Sequence, residues 1–572
     1  MGAVAGPSKR TYNWYRLLLL SFLIGIVAGL GAILFNWLLA LGHQLFLTGI
    51  AHYRPPGLAA EGGEAVARFG PYARLLIPVA TTLGGLLAGW LVFTFAPEAE
   101  GHGTDAVIRA YHEEGGRIRG RVPLIKTLAS AITLGSGGSG GREGPIAQIG
   151  AGLAAVTSYF LRLSDAERRT LVMAGAGGGI GAVFHAPLGG ALFAAEVLYS
   201  KLDTETDVLV PSIISAVTAY SVAGYVTGFG SLFRLRADTY SQPEELPFYL
   251  VLGILAAGGA WLFVKLFYGT QAWFREQRIP AYLKPALGGL LTGVLGAFLP
   301  QILSGGYGWM QLVFENKLPF LLLLLMALGK MVATSLTIGS GGSGGVFGPS
   351  VFTGAALGAA YGQAVAHLFP GLGAHPVDFA LVGMASFFAG AAKTPLSSIV
   401  MVTEMTGGYG LLVPLMLASF TAFVLVPPAV TLYRSQVPER IDSPVHAHEY
   451  IRLALSSLAE RGLPIPRDVP LPQIARLLET GQPVPLDPEG NEIAFPLRVE
   501  AGHPWAGKRI AELGLPPSVL VISVLREKAD KVIVPRGHTQ LEEGDTLILV
   551  GPPEAPSDVA RMLGKNGKVE SD

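Results

Sequence analysis

The sequence contains no cysteine and unusually few charged residues. The absence of cysteine excludes a disulfide framework, thiolate metal sites and a cysteine nucleophile. Only 14% of the 572 residues are charged, whereas a soluble protein of this size carries about 25%. Basic and acidic residues number 41 each, so the formal net charge is zero and nothing indicates a nucleic-acid partner.

Apolar residues are abundant but unevenly distributed. Half of the residues are hydrophobic, and the mean hydropathy is +0.47. Long apolar blocks fill the chain up to about residue 435, and several are too short to span a bilayer or are interrupted by glycine and proline. Such interrupted segments are typical of broken helices around a transport site. We predict a cytoplasmic, mildly basic N-terminus over residues 1–16 and an all-α polytopic membrane domain over 17–435.

An internal repeat divides the membrane domain into halves of about 17–240 and 250–435. The segment GSGGSGGREGP at 135–145 matches GSGGSGGVFGP at 339–349 with a constant offset of 204. Further matched pairs are Lys126 and Lys330, Gly150 and Gly354 (offset 204), and Glu196 and Glu404 (offset 208). These matches predict a duplicated membrane unit, and the residues alone leave open whether its halves are parallel or inverted.

The two glycine-rich segments have the chemistry of an anion site. Glycines let backbone N–H groups converge on a concave site, and the proline that follows suits the first turn of a helix. The helix points the positive end of its dipole at the loop, so an anion is held without a full positive charge and can leave again. The alternative is close packing of membrane helices. A nucleotide-binding P-loop fits less well, since neither segment ends in Gly-Lys-Ser/Thr.

These motifs resemble those of the CLC family of chloride channels and transporters. The resembling stretches are GREGP at 141–145, GVFGP at 345–349, Ala186-Pro-Leu188, Thr394-Pro-Leu396, Thr403-Glu-Met-Thr406 and Leu432-Tyr433. The resemblance covers about residues 15–435. It implies inverted repeats, a homodimer with one chloride pathway in each subunit, and a place in the plasma (inner) membrane with both termini cytoplasmic.

The resemblance also assigns roles to residues. Glu143 falls on the family's gating glutamate; a carboxylate within an apolar block itself suggests function, the alternative being a salt bridge to Arg142. Tyr433 matches a tyrosine whose hydroxyl donates to the central anion, although a tyrosine at a membrane end is often only an interfacial anchor. The predicted anion-binding residues are His102, Gly103, Arg142, Glu143, Gly144, Val346, Phe347, Gly348 and Tyr433.

Two positions depart from the family pattern. His102 replaces the serine that would contact the anion; its imidazole either donates a hydrogen bond there or points elsewhere while a backbone amide substitutes. Val197 stands on the proton pathway where proton-coupled members commonly carry a glutamate, and it cannot hold a proton. Some exchangers lack that glutamate too. The sequence therefore favours a chloride channel gated by Glu143, with weak or absent proton coupling, over the alternative of a chloride/proton exchanger.

The composition becomes that of a soluble protein after Tyr433. Residues 436–492 are a polar, proline-rich linker with one helical-looking stretch near 451–461, and residues 493–566 predict a small cytoplasmic α+β domain. Its β-like runs are 495–499, 519–525, 531–534 and 546–550.

This domain resembles the C-terminal part of regulator-of-potassium-conductance (RCK) domains, through Val499, Pro504–Lys508, Val532–Gly537, Glu543–Asp545 and Val550–Gly551. The resemblance implies dimerisation and, in some members, binding of a nucleotide such as cyclic di-AMP; a folded module without ligand is the alternative. The predicted regulatory ligand contacts are Val532, Ile533, Pro535 and Arg536.

No enzymatic activity is predicted, because the sequence shows no nucleophile–base pair, HExxH zinc motif or Rossmann fingerprint. No metal or other cofactor is expected. A membrane-tethered ligand sensor is the remaining alternative, but two intact glycine-rich segments argue against it, since a pure sensor needs no pore.

Overall fold

The computed structural model describes residues 14–233, 235, 243–446, 483–486, 491–500, 502–526, 531–533 and 535–563. The chain divides into two compact units, Met1–Arg440 and Ile441–Asp572; the sequence analysis placed this boundary at residue 435. Residues 1–13 of the predicted N-terminus and the helical-looking stretch at 451–461 lie outside the described residues.

The described part of the first unit contains sixteen α-helices in two sets of eight. The first half has α1 (Trp14–Gly42), α2 (Ala73–Phe95), α3 (Thr104–His112), α4 (Arg121–Gly135), α5 (Glu143–Phe160), α6 (Asp165–Phe184), α7 (Pro187–Glu196) and α8 (Thr206–Thr227). The second half has α9 (Leu246–Glu276), α10 (Lys284–Phe298), α11 (Tyr307–Phe314), α12 (Phe320–Gly339), α13 (Phe347–Leu368), α14 (Pro376–Ala392), α15 (Pro395–Thr406) and α16 (Leu412–Leu425).

The segment between α1 and α2 is an elaborated connection. α1 continues as a π-helix over His43–Ile50, and two short strands follow, β1 (Tyr53–Arg54) and β2 (Arg68–Phe69), which pair antiparallel. A 3-10 turn at Ala59–Glu61 lies between the strands. This hairpin bears on the functional site described below.

Helix starts follow local sequence signals. Ser164 caps α6 with a capping box, in which its side chain accepts from the Glu167 N–H and the Glu167 carboxylate accepts from the Ser164 N–H. Proline occupies the first position of α7, α14 and α15, where no intrahelical N–H bond is lost. Local chemistry therefore fixes where these helices begin.

Six helical spans in the described residues are long and apolar enough to cross a bilayer: Trp14–Ile50, Ala73–Phe95, Thr206–Thr227, Pro243–Glu276, Ala281–Phe298 and Phe320–Gly339. Other helices are too short, such as the nine-residue α3 and the eight-residue α11. Large apolar side chains face outward, including Leu30 and Trp37 of α1, which are 55% and 62% exposed. Such a surface suits contact with lipid, and the prediction of an all-α polytopic membrane domain with broken helices is confirmed.

The two halves repeat the same packing. α5 crosses α6, and α13 crosses α14, with glycine at each crossing. A Cβ on Gly150 would lie 2.1 Å from the Gly175 carbonyl oxygen, and a Cβ on Gly354 would lie 2.2 Å from the Gly383 carbonyl oxygen. No other residue allows the backbones to approach this closely, which explains why this glycine is matched between the halves.

Contacts around α8 and α16 show that the halves are inverted. The residues that follow α8 meet the end of α15, where the Phe233 N–H donates to the Met405 carbonyl at 3.0 Å. The residues that follow α16 meet the segment before α8, where the Val437 N–H donates to the Leu198 carbonyl at 3.2 Å. α16 therefore ends at the face where its counterpart α8 begins, as the family resemblance implied.

Glu196 and Glu404, a matched pair of the internal repeat, both cap the N-terminus of a helix. The Glu196 carboxylate, at the end of α7, accepts from two N–H groups in the first turn of α15 at 2.9 and 2.7 Å. The Glu404 carboxylate, near the end of α15, accepts in turn from two N–H groups in the first turn of α7 at 3.2 and 2.7 Å. Each half thus caps a helix of the other, which satisfies N–H groups that the helix leaves unpaired.

The described part of the second unit is a five-stranded antiparallel sheet of order β3-β4-β7-β5-β6 with one helix. Its elements are β3 (Val484–Pro485), β4 (Ile493–Arg498), β5 (Leu520–Arg526), β6 (Lys531–Ile533), β7 (Asp545–Gly551) and α17 (Ala555–Met562). Four strands fall within two residues of the predicted runs, and the α+β prediction is confirmed. Two parallel bonds from Arg526 to the Asp545 carboxylate, at 2.9 Å each, join β5 to β7 and raise the pKa of the guanidinium.

Candidate functional site

The two glycine-rich segments meet at the centre of the membrane unit. Gly141 and Gly345 exchange backbone hydrogen bonds in both directions, each 2.8 Å long. α5 begins two residues after Gly141 and α13 two residues after Gly345. The positive ends of two helices therefore converge on one junction, as the anion-site interpretation requires.

Glu143 occupies this junction. Its side chain is buried, with 2% of the residue exposed, and Oε1 accepts from the Phe347 N–H at 2.6 Å. Oε2 is buried and has no hydrogen-bond partner of acceptable geometry. The carboxylate thus lies at the N-terminus of α13, which is a favourable position for a negatively charged group.

Glycine is required around this carboxylate for steric reasons. A Cβ on Gly141 would lie 2.0 Å from Glu143 Oε2, and a Cβ on Gly345 would lie 1.9 Å from Oε1. On the far side of the junction, a Cβ on Gly144 would lie 1.7 Å from the His102 carbonyl oxygen. The glycines therefore provide the space for an anionic group next to backbone amides.

A third helix, α3, contributes its N-terminus through Gly103, which has φ of +83° and adjoins Gly144. The loop before Gly103 is held by Lys126, whose buried ammonium donates to the carbonyls of Ala99 and Gly101 at 3.0 and 2.8 Å. Lys126 thus fixes the loop that carries His102 and Gly103 into the site.

Lys330 does the same in the second half. Its buried ammonium donates to the carbonyls of Ile302 and Ser304 at 3.0 and 2.5 Å, on the loop that leads into α11. The two lysines matched by the repeat therefore have the same structural role: each holds the loop before a short helix.

His102 and Tyr433 lie together. Their ring centroids are 5.5 Å apart, and both residues are buried. His102 Nε2 lies 3.5 Å from Asp105 Oδ2, whereas His102 Nδ1 and the Tyr433 hydroxyl have no hydrogen-bond partner of acceptable geometry. Tyr433 is 0% exposed, and the anion contacts of both residues stay predictions. The structure thus places two buried polar groups, His102 Nδ1 and the Tyr433 hydroxyl, close to each other.

Val197 lies at the end of α7 and is 2% exposed. Its carbonyl accepts from Gln436 Nε2 at 3.0 Å, and Phe193, one turn earlier on α7, lies 6.2 Å from the Tyr433 ring. α7 therefore borders the site, and the Val197 side chain supplies no group that could carry a proton.

The backbone of Arg142 lies at the junction, but its side chain points away from Glu143. Nη1 donates to Glu61 Oε1 at 2.6 Å, so the salt bridge that the sequence suggested with Glu143 is formed with Glu61 instead. The guanidinium lies 4.6 Å from the Tyr307 ring centroid. The sequence analysis missed Glu61 and Tyr307; the only signal for Tyr307 was its position directly after Gly306, the counterpart of Gly103.

The predicted regulatory contacts occupy one strand and the turn after it. Val532 and Ile533 belong to β6, and Ile533 packs against the core of the second unit. Pro535 and Arg536 follow, and the Arg536 N–H donates to Thr539 Oγ1 at 2.9 Å. Their contact with a nucleotide stays a prediction.

Helix N-termini that converge on a buried carboxylate, within an inverted membrane repeat, are features of membrane proteins that move small anions. The chain matches the sequence profile of the voltage gated chloride channel family over residues 84–426 and that of the TrkA-C domain over residues 497–564. The chain belongs to the CLC family and carries a TrkA-C domain of the RCK type.

Some of the proteins similar in sequence are named channels and others are named exchangers. A putative chloride channel protein ClcB-like from Ralstonia nicotianae is 35% identical over 371 residues, which is 64% of this chain and 85% of the relative. An H(+)/Cl(-) exchange transporter ClcA from Yersinia pestis is 32% identical over 369 residues, 63% of this chain and 77% of the relative. The corresponding ClcA from Salmonella agona is 32% identical over 371 residues, 63% and 78% of the two chains.

Solved structures share the fold. A slow cyanobacterial Cl-/H+ antiporter superposes with a TM-score of 0.63 at 24% identity, covering 72% of this chain and 94% of that chain. A CLC-type fluoride/proton antiporter gives a TM-score of 0.63 at 22% identity, covering 75% and 100%.

Proposed function

We propose that the protein exchanges chloride for protons across the membrane, with Glu143 as both gate and proton carrier. The observation that carries this proposal is the Glu143 carboxylate on the Phe347 N–H, at the N-terminus of α13. A group that occupies an anion site and can be neutralised by a proton links the movement of the two ions.

The proposed cycle uses the two oxygens of Glu143 differently. A proton reaches Oε2, which has no hydrogen-bond partner of acceptable geometry, and neutralises the carboxyl group. The charge-assisted bond from the Phe347 N–H weakens, because a neutral carboxyl is a poorer acceptor than a carboxylate. Chloride then takes the vacated place at the N-terminus of α13, and His102 and Tyr433 offer donors for it on the other side of Glu143.

The relatives favour exchange over the channel that the sequence analysis put first. Relatives at 32% identity are named exchange transporters, although the one at 35% is named a putative channel. Val197 keeps the channel as the second candidate, because a buried valine interrupts the simplest route for a proton to Glu143. A water chain past Val197, assisted by His102, would restore that route.

Reversal potentials of the purified protein in liposomes, under opposed chloride and proton gradients, decide between the candidates. For exchange, the reversal potential shifts with the proton gradient, and empty liposomes show no flux. A potential that follows chloride alone supports the channel, and flux equal to that of empty liposomes contradicts anion transport altogether. We also expect chloride to be preferred over fluoride.

Within this proposal the protein acts as a homodimer in the plasma membrane, with both termini cytoplasmic, and the TrkA-C domain is a regulator rather than part of the pore. A nucleotide such as cyclic di-AMP at that domain is an expectation from the RCK resemblance.

A further inference from the structure

A cavity of about 740 Å³ opens beside the Glu143 site on the face where α1 ends. We call it the vestibule; its lining includes His43, Glu61, Arg142, Ser304, Tyr307 and Trp309. Glu61 belongs to the hairpin between β1 and β2, which reaches this cavity from the connection of α1 to α2.

Two residues that line the vestibule, Arg142 and Tyr307, carry buried donors that lack an acceptor of acceptable geometry. Arg142 is 5% exposed and its Nη1 donates to Glu61, whereas Nε and Nη2 are buried and have no hydrogen-bond partner of acceptable geometry. The buried Tyr307 hydroxyl, whose ring lies beneath the guanidinium, has no partner of acceptable geometry either. Buried donors that remain unsatisfied are costly, so their presence indicates a ligand that accepts hydrogen bonds.

This group adjoins the Glu143 site directly. A Cβ on Gly348 would lie 2.6 Å from the Tyr307 hydroxyl oxygen, and Gly348 is one residue after Phe347, which donates to Glu143. An ion held by Arg142 and Tyr307 would therefore stand next to the place that Glu143 vacates.

We propose that the vestibule holds a second anion site, formed by the Arg142 guanidinium and the Tyr307 hydroxyl, and that Glu61 competes with chloride for it. The ion displaces the Glu61 carboxylate from Arg142 and then moves to the Glu143 site. Glu61 is suited to leave, because its side chain is 37% exposed whereas that of Arg142 is 6% exposed. Two tethered carboxylates would thus stand in series along one pathway. The inference rests on the proposed function in that the ion is chloride.

The test uses Glu61→Gln in the full-length protein. Glutamine keeps an oxygen for Arg142 Nη1 but removes the competing charge, so we expect the chloride concentration for half-maximal liposome uptake to fall about two- to tenfold. Glu64→Gln is the matched control, because Glu64 lies on the same hairpin and carries the same charge but pairs with Arg68. Equal shifts in the two variants, or no shift in Glu61→Gln, would overturn the proposal.

Tyr307→Phe tests the other side of the site. It removes the hydroxyl and keeps the ring under Arg142, so half-maximal uptake should require about two- to tenfold more chloride. An unchanged requirement contradicts a role for the hydroxyl. Liposome flux and calorimetric titration with chloride in detergent test the two proposals separately. A wild type that moves no chloride in liposomes refutes exchange. Chloride binding that tightens in Glu61→Gln and weakens in Tyr307→Phe still supports the second anion site.

Discussion

The two halves of the membrane unit share the features that support the backbone, but they differ in the side chains at the proposed ion site. Both have a glycine-rich segment before a helix N-terminus, a buried lysine that braces a loop, and a glutamate that caps the opposite half. At the position of Glu143 the second half has Phe347, and at that of Arg142 it has Val346.

This difference follows from having one junction between two inverted halves. The backbone scaffold needs both copies, since each half supplies a helix end to the shared site. At the junction itself one tethered carboxylate suffices, because the Glu143 side chain already reaches the N-terminus of the partner helix α13. Substitutions at matched positions therefore distinguish residues that support the fold from residues that act on the ion.

The largest effect is expected for Glu143→Gln. The glutamine is permanently neutral, so chloride flux should become nearly independent of pH and its coupling to protons should disappear, a change of more than tenfold in the proton-to-chloride ratio. Flux from liposomes buffered at several pH values measures this. Glu113→Gln is the control, since Glu113 is exposed at the end of α3. Wild-type pH dependence in Glu143→Gln would show that Glu143 is not the gate.

A smaller effect, different in the two halves, is expected for Lys126→Met and Lys330→Met. Each leaves two buried carbonyls without a donor and should lower the free energy of unfolding by about 1–3 kcal/mol. Thermal unfolding in detergent measures this loss. Only Lys126→Met should also weaken chloride binding beside His102 and Tyr433, because Lys126 holds the loop that carries His102. Equal effects on chloride binding would contradict this asymmetry.

The smallest effect is expected for Glu196→Gln and Glu404→Gln. A glutamine keeps one acceptor oxygen, so each variant should lose about 0.5–2 kcal/mol of stability, in the range of a lost helix cap. Glu196 is 1% exposed and Glu404 is partly exposed, so Glu196→Gln should unfold at the lower temperature. The reverse order would contradict the view that burial of the carboxylate determines how much each cap stabilises the protein.

Sequence analysis predicted most of the scaffold and about half of the site. The glycine segments, the matched lysines and glutamates and the strands of the second unit were all found from local patterns. The direction of the Arg142 side chain was not predicted, because its partner Glu61 is 81 residues away and no spacing rule connects the two residues. The position of the His102 ring beside Tyr433 was not predicted either, because the two residues are far apart in the sequence.

By itself the sequence determined the membrane class, the duplication, the change of composition after Tyr433 and the glycines that an anion site requires. These are properties of composition and of repeated spacing, which the chain carries whatever its path. Tertiary structure alone decided that the halves are inverted, that Glu143 in one half bonds Phe347 in the other, and that Arg142 turns toward Glu61. The physical reason is that a repeat in sequence fixes which residues correspond but not which of them meet; that depends on how helices far apart in the chain pack.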